Sequence, residues 1–211
     1  MPPDTTQATN HVPRKRDTRQ RLIETGMPLL LRHGYNDLGL QMLLRETRVP
    51  KGSFYHHFRD KEDFALAVID AYMDGVHQGM AASLGDHTLP PLVRIRTFFE
   101  MTAESYRDEG YMGCLLGGLG QELSGISDVF RDRISVCFGE IAGGMAGCLA
   151  EARARGDIAA DSDVDEMAAR LVDCWEGAAL RSRLTRDPAA LMSMLDFYFA
   201  AITGKPVQRE A

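Results

Sequence analysis

The run VPKGSFYHHF, residues 49–58, gathers Lys51, Gly52, Ser53, Tyr55, His56 and His57 into less than three helical turns. Paired histidines invite a metal or acid–base reading. Adjacent residues on a helix diverge by about 100°, however, so His56 and His57 do not converge on one ion as an i, i+4 pair does. No metal and no cofactor is expected. The second candidate is Cys114, in EGYMGCLLGGLGQEL, residues 109–123. It follows a glycine-rich turn and is expected in the first turn of a helix, where the dipole favours thiolate. Arg107, Arg181 or Arg183 would lower its pKa further if folding brought one near. Two readings stand, a reactive sensing thiol and a small residue packed in a core. A cysteine-dependent enzyme with Cys114 as nucleophile is the rival, and it lacks a base: His11, His33, His56 and His57 lie in the front segment, and neither His77 nor His87 falls in a nucleophile-and-base motif. Cys137, Cys148 and Cys174 sit in apolar mid-helix settings, and with no C-x-x-C pair the four cysteines read as free thiols.

The elements that must hold these groups read as helices throughout. Glycine and proline punctuate the chain at helical intervals, and no sustained period-two alternation appears. A first helix is predicted over about Asp17–His33, with Leu22, Ile23, Leu29 and Leu30 as its apolar stripe, Pro28 as a bend or local break and Gly34 as its stop. A short helix in LQMLLRE carries Leu40, Leu43 and Leu44, with Gly39 as N-cap, before Pro50 turns the chain. The third helix, Lys51 to about His57, sets Phe54 and Phe58 on a buried face and leaves the polar residues outside. A fourth runs from Lys61 towards Met80. After Gly85 and Pro90-Pro91, a hinge or a loop, longer helices follow over about 92–107, 114–123, 129–155, 164–184 and 188–202. The fold class is all-α, a small head on a larger helical body.

Composition agrees with a polyanion-binding head. The formal net charge is −6, yet residues 1–63 carry 11 Lys and Arg against 8 Asp and Glu, while residues 64–211 carry 13 against 22. A modestly basic front on a clearly acidic body is the kind of imbalance that polyanion binding would use. No apolar run approaches the roughly 20 residues of a membrane span, no signal peptide is evident, and a cytoplasmic protein without a membrane partner is expected.

Two short helices joined by a tight turn, the second polar and exposed, form a helix-turn-helix whose second helix enters the major groove. Residues 18–72, with K-G-S-F-Y-x-H-F followed by K-E, closely resemble the N-terminal domain of TetR-family transcriptional repressors. The resemblance implies a homodimer on a palindromic double-stranded DNA operator, released by a small-molecule effector bound in the body. Its domains are a disordered basic arm (1–16), a DNA-binding domain (17–63), an effector-binding and dimerisation domain (64–204) and a flexible tail (205–211). Carried over by position, Lys51, Tyr55, His56, His57 and Lys61 are DNA contacts, mostly to phosphates, with Gly52, Ser53 and Tyr55 nearest the bases. Leu38-Gly39 stands where many members open the second helix with a hydroxyl residue, and Gln41 is the substitute contact. Arg14, Lys15 and Arg16 read either as a minor-groove arm or as a solvated tail.

EGYMGCLLGGLGQEL and WEGAALRSRL, residues 175–184, resemble a branch of the family responsive to N-ethylmaleimide, quinones and acrylate, which makes an electrophile acting through Cys114 the implied signal. Phe98, Met101, Met112, Leu115 and Trp175 are the further candidates to line an effector pocket, although a core needs such residues too. Leu191, Leu195, Tyr198 and Ile202 form a stripe on the last helix that serves either the core or a subunit face, and the family favours the dimer.

Overall fold

The computed structural model describes residues 15–204 and shows nine helices and no strand among them: α1 Lys15–Asp37, α2 Leu40–Thr47, α3 Lys51–His57, α4 Lys61–Leu84, α5 Pro91–Asp108, α6 Leu115–Leu123, α7 Asp128–Arg155, α8 Val164–Thr185 and α9 Ala189–Thr203. The all-α expectation holds, and most boundaries fall within two residues of those read from the sequence. The expected arm and tail lie outside the described residues, save that Lys15 and Arg16 already open α1. Pro28 neither ends nor breaks α1. The interruption comes at Gly34, with φ 72° and ψ 180°, a backbone region reserved for glycine.

The head closes on an aromatic cluster. Phe54 and Phe58 of the third helix meet Phe64 of α4, with ring centroids 5.3–5.8 Å apart. A Cβ on Gly26 would stand 2.2 Å from the Phe64 ring, so glycine there lets α1 lie against α4. Leu43, Val49, Leu22 and Leu30 complete this core, and all are almost fully buried. The same apolar cluster runs on without interruption into Leu115, Leu116, Leu119 and Leu123 of α6. By packing, α6 is as much part of the head as of the body.

A second core joins α5, α7, α8 and α9 around Phe99, Leu149, Leu171 and Trp175. Its far corner holds Arg94, 2% exposed, which donates to the Leu84 carbonyl at 2.6 Å, lies 3.1 Å from His87 Nδ1 and pairs with Glu151. That arrangement locks the end of α4 to α5 and α7. By length and composition α7 is apolar enough to cross a membrane, contrary to the sequence reading; it packs against α4, α5, α6 and α8 within the bundle.

The stripe assigned to a subunit face is corrected. Leu191 and Leu195 are fully buried and Tyr198 is 8% exposed, donating its hydroxyl to the Met167 carbonyl at 2.9 Å; Ile202 packs against the same core. Leu191, Leu195 and Tyr198 belong to the chain's own interior, where α9 packs on α8, while Ile202 keeps part of its surface exposed. What α8 and α9 leave outside is Leu180, Leu184 and Phe197, the last two about three-quarters exposed.

Gly34 generates a direct test. A Cβ there would lie 2.6 Å from Glu122 Oε2 in a φ/ψ region that L-residues avoid. Gly34→Ala is expected to cost about 2–3 kcal/mol, read as a fall in denaturant midpoint, while Gly39→Ala, in open space, leaves the midpoint nearly unchanged.

Candidate nucleic-acid interface and effector cavity

The outer face of α3 presents the residues the sequence singled out. Lys51, Gly52, Tyr55 and His56 are exposed and Ser53 and His57 partly so, while Gln41 stands exposed on α2. Tyr55 keeps half its surface open; its ring meets Phe54 edge-on at 5.4 Å, and the Lys51 ammonium lies 5.9 Å from its centroid. Nothing lies within 4 Å of where a Gly52 Cβ would be, so glycine at this position answers no demand of the fold. It leaves an open patch of backbone for a close approach from outside. His56 and His57 meet ring to ring at 5.4 Å. Among the described residues no three His, Cys, Asp or Glu side chains gather as a metal ion needs.

Lys61 also has a partner within the chain. Its ammonium sits 4.3 Å over the Tyr35 ring and is partly buried; desolvation lowers its pKa, opposed by the charges of Glu122 and Asp37. The side chain stands at the head–body junction with part of its surface exposed. The start of α4 is not a free anion site, because the Asp60 carboxylate already accepts from the Asp63 amide at 2.8 Å. Two further cations stand beside the motif: Arg48, whose left-handed conformation (φ 54°) ends α2 in the turn, and exposed Arg59 just past α3, which lies 3.7 Å from Asp63.

The junction itself centres on Glu122, near the end of α6. Its two carboxylate oxygens accept the Tyr35 amide at 2.7 Å and the Asn36 amide at 2.6 Å, immediately after the Gly34 break. Arg183 of α8 reaches the Leu31 carbonyl of α1 at 3.5 Å alongside. Hydrogen bonds to an ionised carboxylate are the stronger kind, and two on one group fix orientation as well as distance.

At the other end of α6 lies a cavity of about 370 Å³, walled mainly by α4, α5 and α8. Cys114, Phe98, Met101 and Trp175 line it, as expected from the sequence. Met112 and Leu115 do not. Met112 borders a separate groove on the outer side of α6, and Leu115, 1% exposed, turns into the core beside α1. In their place the cavity takes Tyr72, Tyr106, Glu109 and Glu176, whose roles depend on a tertiary neighbourhood no local pattern announces.

Cys114 is the N-cap of α6 and not its first helical residue. Its Sγ accepts from the Tyr72 hydroxyl at 3.7 Å. Burial and then the Glu176 charge push the thiol pKa up to about 12, so desolvation outweighs the helix dipole, and a carboxyl stands where an arginine was expected. Burial likewise holds the Glu176 carboxyl at about 7, near half-protonation at neutral pH. That carboxyl needs Gly117: a Cβ there would lie 2.2 Å from Glu176 Oε2.

Two measurements follow. At pH 8 exposed Cys174 is modified by a disulfide reagent before Cys114, which lags by at least about a hundredfold; Glu176→Gln, by removing the repelling charge, speeds Cys114 modification. Glu176 binds its proton more tightly folded than unfolded, so its effect on stability is neutral below pH 4.5 and grows into a cost as pH rises to about 7. Glu176→Gln is accordingly more stable than the parent at pH 8, by up to about 3 kcal/mol, and about equal at pH 4.5, in denaturant titrations at the two pH values.

The comparisons agree with this architecture at both ends. Residues 22–68 match "Bacterial regulatory proteins, tetR family", and residues 91–197 match "Tetracyclin repressor-like, C-terminal domain". The transcriptional regulator AcuR of Cereibacter sphaeroides is 39% identical over 82% of this chain and 80% of its own. The crystal structure of regulatory protein TetR from Rhodobacter sphaeroides superposes with a TM-score of 0.84 at 37% identity, covering 88% of this chain and 98% of that one. Reduced NemR of Escherichia coli does so with a TM-score of 0.80 at 28% identity, over 91% and 100%. These relatives are regulators and not enzymes, which leaves the Cys114 nucleophile reading without support. With a helix-turn-helix head, a helical body and both domain matches, the chain belongs to the TetR family of DNA-binding transcriptional regulators.

Proposed function

We propose that the protein is a homodimeric repressor that leaves a palindromic operator when a small effector fills the cavity bounded by Cys114. The observation that carries this reading is the placement of α6. One short helix begins at the cavity wall with Cys114 and ends, through Glu122, on the backbone of the head at Tyr35 and Asn36. A ligand that shifts the start of α6 moves the Glu122 clamp with it, and the α3 helices of a dimer lose their common register on the duplex. The coupling such a device supplies is about 1–3 kcal/mol. Leu180, Leu184 and Phe197, exposed on α8 and α9, support a subunit face on that side of the body. The protein acts in the cytoplasm, where the operator is.

Cys114 enters this reading as a wall residue facing the effector. The raised thiol pKa favours reversible occupancy over capture by a standing thiolate. An electrophile remains the specific competing signal, since the thiol opens on the cavity. Cys114→Ser separates the two: release that survives the substitution is reversible, and release that disappears only for electrophiles is covalent.

The interface is tested by selecting sequences from a randomised duplex pool with the full-length protein. The expected product is an inverted repeat bound in a salt-sensitive manner. Gly52→Ala is expected to keep the parent's thermal midpoint, because its Cβ meets open space, while weakening operator binding at least about tenfold through lost backbone approach. Tyr55→Ala and Lys51→Ala weaken it too. A pool that yields no enriched site, or a Gly52→Ala protein with parental affinity, contradicts the reading.

A further inference from the structure

The charge pattern of the cavity narrows what enters it. No Lys, Arg or His lines it among the described residues, whereas two carboxyls do. Glu109 stands at the exposed rim, hydrogen-bonded by the Ser105 hydroxyl at 3.3 Å, and Glu176 is sunk into the wall beside Cys114. Among the described residues neither forms an ion pair, although exposed Asp and Glu elsewhere on the surface commonly do. Four aromatic side chains, Tyr72, Phe98, Tyr106 and Trp175, share the remaining wall with aliphatic and small residues. Phe98, Tyr106 and Trp175 are each less than a tenth exposed, so the rings are held in place by the core before any ligand arrives.

A sunken carboxyl without a counter-charge is an unfavourable arrangement that an apolar or amide side chain of similar size would relieve. A positively charged guest removes the cost, and aromatic faces attract the same guest through their quadrupoles. An anionic guest meets Glu109, a half-ionised Glu176 and no positively charged side chain in the lining. The approach is biased in the same sense, because residues 64–211 carry 22 acidic against 13 basic side chains.

We propose that the effector of this cavity is a compact organic cation, an amine or quaternary ammonium whose charge is taken up by Glu176 and the ring faces of Tyr72, Tyr106 and Trp175. The inference rests on the reading of the cavity as the effector site and adds the chemical class of its ligand. Binding of such a cation draws the Glu176 proton off, since the ion pair favours the carboxylate over the half-protonated state that burial imposes. Glu109 at the rim is the first carboxyl that an incoming cation meets.

The chain has one tryptophan, and it stands in this wall, so Trp175 fluorescence reports occupancy directly. Three probes of matched shape separate charge from fit: choline, its neutral carbon isostere 3,3-dimethylbutan-1-ol, and the anion 3,3-dimethylbutanoate. Choline is expected to shift the Trp175 emission at a concentration at least about tenfold below the alcohol's, and the carboxylate to have no effect. Glu176→Gln is expected to reduce that preference at least about fivefold while leaving the alcohol's affinity in place, which shows the variant to be folded. Equal binding of alcohol and cation, tighter binding of the carboxylate, or no response to any of the three overturns the charge assignment. Operator anisotropy measured on the same samples keeps the two ideas apart. A neutral or anionic probe that binds and releases operator overturns only the cation assignment, whereas choline that occupies the cavity without touching operator affinity upholds the assignment and overturns the effector-site reading.

Discussion

Two hydrogen bonds hold this molecule in register: those by which the Glu122 carboxylate accepts the amides of Tyr35 and Asn36. The arrangement demands the glycine-only backbone of Gly34, which turns the chain so that both amides point one way and leaves no Cβ in the path of the carboxylate. Around it collect Lys61 on the Tyr35 ring, Arg183 on the Leu31 carbonyl and the leucines of α6 in the head core. The head is therefore not a separate bead on a tether. It shares its hydrophobic interior with the helix that also forms the cavity wall, and a displacement of that helix cannot be absorbed by slack between domains.

The two ends of α6 differ in their tolerance of change. At Glu122 the contacts are two short, geometrically fixed hydrogen bonds to one carboxylate, a rigid coupling. At Cys114 the surroundings are a void, a weak contact to Tyr72 and a carboxyl poised between its two protonation states. A site with empty volume and a half-ionised acid that has no counter-charge among the described residues is the soft end of the lever. Ligand chemistry acts there and geometry is read at the other end, as coupling through a contiguous packed element requires.

Much of this was legible in the sequence because it is local. The spacing of Leu40, Leu43 and Leu44, the stop at Gly34 and the polar face of α3 follow from periodicity and from what glycine and proline permit, and the structure repeats them. Phe98 and Trp175 do line the cavity, yet both are also core residues, and the sequence offered either role without deciding between them. What escaped were the residues whose meaning lies in a distant partner: Glu122, 87 positions from Tyr35, and Glu176, which meets the thiol from another helix. The expected lowering of the Cys114 pKa failed for the same reason, since a dipole is visible in one helix and desolvation only in the fold. The stripe Leu191, Leu195, Tyr198 misled because helical spacing marks an apolar face without saying whether the chain or a partner covers it.

The central claim, that the cavity governs the head through the Glu122 clamp, is open to a double-substitution measurement that needs no knowledge of the effector. Ala71 lines the cavity, and Ala71→Phe fills part of it as a ligand would. Operator affinity is measured for the parent, Ala71→Phe, Glu122→Gln and the pair. The account predicts that Ala71→Phe weakens binding at least about tenfold in the parent and by less than about twofold once Glu122→Gln has cut the clamp. An equal loss in both backgrounds would contradict it, because the cavity would then reach the DNA by a route that does not pass through Glu122.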